Sequence, residues 1–286
     1  MVATANATNF AIVSLTPTAA GSYTVAPTVA FSGSGTGSLI ASSGLTAITL
    51  TGTNNNIGGV GNLAIAAPIG GSGGGFSKIG AGTVTLSGAS TYTGNTTVTA
   101  GTLLLNTSHT GGAAYSVSGT GTLGGNGTII ATSLATAAGS KLAPGSALGL
   151  AGNLTLTLSG GANISASSND SGAYVFDLAA PGASDRITLT LGTLDIGTMA
   201  NADFVFSELT GFAQGTYILF DAASAITGSV TSALNSISFT GGLTGTLSLD
   251  SINNDVLLTV VPEPTTWVLL AFSMTTVMLL RRRKRA

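Results

Sequence analysis

A two-residue step, Gly-Thr, returns at Gly82-Thr83, Gly101-Thr102 and Gly121-Thr122, at spacings of 19 and 20 residues. A period of that size matches one coil of a β-solenoid, in which each coil stacks on the last and buries a narrow apolar stripe. Between the steps the side chains alternate. Val84 and Leu86 fall on one face, with Thr83, Thr85 and Ser87 on the other, as a half-buried strand requires. Val98 belongs to a second strand, and Leu103 and Leu105 to a third. Further Gly-Thr steps at Gly192, Gly215 and Gly245 continue the habit less regularly.

Composition narrows the class. Only 6% of the 286 residues are charged, 42 are glycine and none is cysteine, where an ordinary domain is about a quarter charged. Glycine at that level suits disorder, but disordered chains are poor in β-branched residues, and this one is rich in Val, Ile and Thr in alternating order. The absence of cysteine excludes a disulfide framework and a Cys-bearing zinc or redox site. Five of the eight basic residues sit at the C-terminus, so residues 1–280 set Lys78, Lys141 and Arg186 against all ten acids, a net charge of −7. An acidic, Arg-poor surface argues against nucleic acid as a partner. No Lys or Arg precedes Lys78, and the apolar run Phe10 to Leu15 is too short for a signal peptide, so the mature body is expected to begin upstream.

Along the chain, residues 1–70 predict short strands and turns, including an alternating strand over Leu45 to Leu50. Gly70 to Gly75 is expected to be a flexible connection. Residues 71–150 hold the regular Gly-Thr coils. In 151–260, Leu154, Leu156 and Leu158 are expected to point inward, as are Tyr174, Phe176 and Leu178, and then Ile187, Leu189 and Leu191. Phe204, Phe206 and Tyr217 to Phe220 form heavier strands, expected to close the open end of the stack. Val256 to Val260 is the last strand, and Pro262 follows it with almost no linker.

The stretch from Lys78 to Leu103 resembles the autotransporter-associated β-strand repeat. Lys78, Gly80, Gly82, Thr83, Leu86, Gly88, Thr91, Tyr92, Thr93, Gly94, Thr96, Val98, Gly101, Thr102 and Leu103 stand where that pattern places its own residues. Val84 replaces its first Leu and Ser90 its usual Asn. The resemblance implies a parallel β-helix and no catalytic residues. A second, single-copy likeness, GSYTVAPTVAFSG from Gly21 to Gly33, is to a repeat of large bacterial surface proteins.

Residues 261–286 have a different character. Pro262-Glu263-Pro264 comes first; its two prolines fix their own φ and favour an extended peptide held open to a partner. An uncharged apolar run follows over 265–280, then Arg281, Arg282, Arg283, Lys284 and Arg285. As a helix that run spans roughly 24 Å against a hydrocarbon core of about 30 Å, and the basic end resists translocation and stays cytoplasmic. Triplet, span and basic end in this order resemble the PEP-CTERM sorting signal of Gram-negative bacteria. That resemblance implies an exosortase-type processing enzyme as partner, passage through the inner membrane, and delivery to the cell surface or extracellular matrix.

Little else suggests chemistry. His109, the single histidine, sits in the polar stretch Asn106 to Gly111 and is expected to be a solvated loop residue. General acid–base work needs titratable groups paired in a pocket, whereas the acids are scattered; Asp177 and Asp185 flank Pro181-Gly182 as a strand exit and re-entry. Asn169-Asp170 and Asn253-Asn254-Asp255 lack the alternating acidic spacing of a calcium loop and suit turns. The expectation is an all-β, right-handed parallel β-helix with a single C-terminal transmembrane helix. It has no cofactor, no metal and no catalytic residue, and a structural or adhesive role in contact with exopolysaccharide or with its own copies. The alternatives are a carbohydrate-active β-helix enzyme and an uncleaved, membrane-anchored envelope protein.

Overall fold

Alternation with a recurring corner lets each coil hydrogen-bond to the next, and the computed structural model shows that arrangement. It describes residues 29–31, 38–41, 47–147, 149–168, 170–232 and 237–263. Three ladders of parallel strands run side by side. One contains Asn55–Gly59, Phe76–Ile79, the first half of Thr96–Leu105, the first half of Ala114–Gly125 and Ser133–Thr136, and ends at Leu194–Ala200 and Ile226–Thr231. The second contains Asn62–Ile65, Thr83–Leu86, the second halves of the same two long strands, Lys141–Pro144, Tyr174–Leu178 and Phe204–Glu208. The third passes from Ile48–Thr49 and Ile69–Gly70 through a bridge at Ser90 to Ser108–Thr110, Thr128–Ala131, Asn153–Leu158, Arg186–Leu191 and Gly215–Ala222. The chain therefore winds as a parallel β-solenoid.

The three regular Gly-Thr steps are its corners, whereas Gly245-Thr246 lies within the strand Leu243–Asp250. Thr83 lies against Thr102 and Thr102 against Thr122, one coil apart each time. Sequence spacing suggested separate strands for Val98 and Leu103; instead Thr96–Leu105 is one strand bent at Gly101. Gly101 has φ +64, and a Cβ there would run into the carbonyl oxygens of Gly80 and Gly82 in the coil beneath. The corner needs both the left-handed backbone and the missing side chain. Gly70 to Gly75 is likewise a packed corner and not a loose tether. Gly71 and Gly74 press on Leu50, Gly75 presses on Thr53, and the Gly73 N–H donates to Thr93 Oγ1 at 2.7 Å in the next coil.

Inward residues stack in columns. Leu63, Val84, Leu103, Leu123, Leu142, Tyr174 and Phe204 follow one another along the second ladder, all buried. Each such side chain contributes roughly 1.5–3 kcal/mol of apolar burial. The period is even as far as Lys141, which faces Thr122. It then lengthens: Leu142 faces Tyr174 and Tyr174 faces Phe204, with the turn at Ser165–Ser168 and the loop 179–185 filling out the longer coils. There the core becomes aromatic. Phe176 packs against Phe204, Phe206 and Phe220 at centroid distances of 6.2, 6.5 and 5.5 Å. Leu154, Leu156, Leu158, Ile187 and Leu189 are buried as expected, but Leu191 is 50% exposed. A register shift after Leu156/Leu189 pairs Thr157 with Leu191 and breaks the alternation.

The parallel ladder stops where direction reverses. Gly215–Ala222 pairs antiparallel with Asp255–Pro262, which pairs antiparallel with Leu243–Asp250. Val256, Leu258 and Val260 turn inward and cover the last coil. Among the described residues no helix is long and apolar enough to cross a membrane. The expected span, 265–280, lies outside those residues, as do Pro264, the basic end from Arg281 to Arg285, and residues 21–28 and 32–33 of the GSYTVAPTVAFSG segment.

Candidate functional site

The C-terminal motif begins inside the closing hairpin. Pro262 is the last residue of its strand and faces Leu243; the Glu263 N–H then donates to the Gly242 carbonyl at 2.8 Å. Proline here gives up an N–H that an edge position can spare. The first two residues of the triplet are thus extended and hydrogen-bonded to the fold, while Pro264 lies outside the described residues. Both are exposed at the surface. The turn at the far end of the hairpin is closed by Asp250, whose carboxylate accepts from the Ile252 and Asn253 N–H groups at 2.9 and 3.2 Å and from the Asn253 amide at 2.7 Å. Asn254 takes φ 59, the left-handed turn geometry asparagine tolerates. Asp255 faces Asp221 on one side and Asp250 on the other. Burial first, then these two like charges, raises its pKa above the ordinary carboxylate value.

His109 is not a solvated loop residue. It is fully buried, in register with Ile129 above and Ser90 below. Its ring stacks on Tyr92 at 3.9 Å, within a file running Phe76, Tyr92, His109, Tyr115. Nε2 lies 2.9 Å from the Tyr92 carbonyl, which only accepts, so Nε2 carries the proton and Nδ1 accepts from the Tyr115 hydroxyl. Tyr92 in turn shares a 2.7 Å hydrogen bond with Thr96 Oγ1. Burial lowers the imidazole pKa below 6.5, raises Tyr92 to about 12 and Tyr115 well above its usual value. The signal for this burial lay across the coils: Ser90, 19 residues earlier, holds the same inward position.

Lys78 is also inside, in a column between Ile57 and Val98. Its ammonium donates to the carbonyls of Ile79, Gly80 and Ala100 at 3.0, 2.7 and 2.8 Å. It closes the corner of its own coil against the next. Burial lowers its pKa to about 8.

Asp177 and Asp185, eight residues apart in sequence, meet as buried carboxylates at the strand exit and re-entry. Asp185 accepts from the Gly152 N–H at 2.6 Å and the Asp177 N–H at 2.8 Å, while Asp177 accepts from the Gly149 N–H at 2.7 Å. Burial, with the Asp177 charge adding to it, raises Asp185 to about 7. Each is engaged in fixing a loop. Outside this pair, an open groove of about 350 Å³ lies between loop 179–185 and the third ladder, with Asn153, Arg186 and Thr216 on its wall. The sequence gives no local sign of it, because its walls come from three coils. Arg186 makes the one ion pair among the described residues, 3.5 Å to Asp221. No group of three His, Cys, Asp or Glu among those residues is placed to hold a metal ion.

The family model for the passenger-associated-transport-repeat matches residues 76–105. Those residues make up about one and a half coils, with Lys78, Tyr92 and the Gly101 corner among them, so the autotransporter-associated likeness holds over that segment. No curated protein matches the chain.

Proposed function

We propose that this is a non-enzymatic β-solenoid of the cell surface or extracellular matrix of a Gram-negative bacterium, delivered there by an exosortase-type enzyme that processes its C-terminal PEP-CTERM signal. The single observation that carries the reading is the placement of Pro262 and Glu263. The fold closes with an antiparallel hairpin, and the sorting triplet starts at its exposed last residue. Removal of everything after Glu263 would leave the hairpin intact. The passenger-type repeat at 76–105 supports an extracellular destination, and the general preference of parallel crossovers supports a right-handed winding. In this reading 265–280 is a transient membrane span and Arg281 to Arg285 its cytoplasmic stop. The body is structural or adhesive, in contact with exopolysaccharide in a biofilm matrix or with further copies of itself. No catalytic role is assigned: His109, Asp177 and Asp185 are each spent on internal hydrogen bonds.

The test is the mass of the mature C-terminus from envelope and secreted fractions, in cells with and without the sorting enzyme. An end within the Pro-Glu-Pro region that depends on the enzyme supports the proposal. A chain still ending at Ala286 in both strains sinks it and leaves a membrane-anchored envelope protein.

A further inference from the structure

We propose that the groove beside Arg186 is a binding site for neutral hexopyranose oligosaccharides. The inference rests on reading the chain as a matrix protein, but it concerns a site the sorting signal does not touch. Three features point to it. First, Arg186 carries five N–H donors, and its guanidinium meets a single protein group, Asp221, at 3.5 Å. Its side chain is 39% exposed, so a planar fork of donors faces the groove. Second, Asn153 is its direct neighbour in the ladder below. The Asn153 amide oxygen is taken by the Thr188 hydroxyl at 3.0 Å, which orients the group and leaves its NH₂ with one long contact, 3.4 Å to Thr155. Third, Pro181 and Ile218 supply carbon surface on the groove's other sides, with Ile218 37% exposed. Donors in a plane beside carbon surface suit a sugar ring, which offers adjacent hydroxyls at its edge and C–H groups on its face. The groove, about 350 Å³, lies at the low end of small-ligand sites.

The charge pattern selects neutral over acidic sugars. Residues 1–280 carry a net charge of −7, Arg186 is the one charged residue on the groove wall, and Asp221 already offsets it. A polyanion would meet Asp221 as it reached the guanidinium. A neutral ring carries no charge for Asp221 to repel and accepts hydrogen bonds from Arg186 where it lines the groove.

The experiment uses the full chain in detergent micelles, with saturation-transfer NMR to three neutral probes, cellotetraose, mannotetraose and maltotetraose, and to tetragalacturonate as the acidic one. At least one neutral tetramer should receive transfer and bind more strongly than tetragalacturonate. Arg186→Gln should weaken it about tenfold, the loss of a charged hydrogen bond. Ile218→Ser removes carbon surface from an exposed residue of the wall, keeps Arg186, and should weaken binding severalfold with the fold intact. Absence of transfer to all three neutral probes overturns the assignment, as does binding indifferent to both substitutions or a preference for tetragalacturonate. None of these results depends on whether the tail is processed, so the two proposals fail separately.

Discussion

Lys78→Met tests how a charge survives inside the coil. The substitution keeps the length and the apolar stem but removes the group that serves the carbonyls of Ile79, Gly80 and Ala100. Leaving buried acceptors without a donor costs about 1–3 kcal/mol each, and at the low end three of them cost roughly 3 kcal/mol. Against this stands the desolvation of the ammonium. Its pKa falls from 10.5 to about 8 in the folded chain, and at about 1.4 kcal/mol per unit this is roughly 3 kcal/mol of opposing free energy below pH 8. The two nearly cancel at neutral pH, so Lys78→Met should unfold within about 1 kcal/mol of the parent at pH 7. Between pH 8 and 10.5 the unfolded chain holds the Lys78 proton longer than the folded one, so this group adds stability to the parent as pH rises. The variant has no such group. The difference between the two in urea unfolding should therefore grow by roughly 3 kcal/mol from pH 7.5 to 10.5. Tyrosine ionisation is common to both chains and drops out. A gap that stays flat across that window would refute the buried, carbonyl-bound ammonium.

The other predictions concern single contacts. His109→Phe keeps the stack on Tyr92 but loses both ring-nitrogen partners, and should cost about 2 kcal/mol at pH 8. Because the folded pKa of His109 is depressed, the parent alone loses stability as pH falls below about 6.5, so the gap in thermal unfolding should narrow at pH 5. Gly101→Ala forces a side chain into φ +64 and into two carbonyls; a loss of about 3 kcal/mol or more in urea is expected. Asp255→Asn removes a charge placed opposite Asp221 and Asp250 and should raise the melting temperature at pH 7 in low salt, with the gain shrinking in 1 M salt. Since the folded pKa of Asp255 is raised, the parent's deficit should open as pH rises past about 3.8.

Much of this architecture is legible in short windows because its determinants are local. Leu154, Leu156 and Leu158 alternate with threonines, and a strand with one buried face has no other way to place them. The three regular Gly-Thr steps mark corners because stacked backbones approach too closely there for a Cβ. What stays hidden is set by neighbours a coil away. His109 sits among Asn, Thr, Ser and Gly and has the local chemistry of a turn; its burial follows from lying between Ser90 and Ile129. Lys78 has the composition of a surface residue, and only the column through Ile57 and Val98 puts it inside. Leu191 fails for a different reason: a register shift just before it reverses a face, and the left-handed Gly192 follows it at once. The groove at Arg186 is hidden most completely, since Asn153, Pro181 and Thr216 come together only after two long coils have closed.

The central claim is the parallel stack with a one-coil step of 19 to 20 residues, and disulfide trapping measures it directly. The chain has no cysteine of its own. Thr83, Thr102 and Thr122 stand in adjacent coils, about 4.8 Å apart per step, which is inside the Cα separation a disulfide accepts. The pairs Thr83→Cys with Thr102→Cys, and Thr102→Cys with Thr122→Cys, should cross-link within one chain under mild oxidation. Thr83→Cys with Thr122→Cys, two coils apart, should not. Cross-linking of that last pair as readily as the adjacent ones, or of none of the three, would contradict the stack.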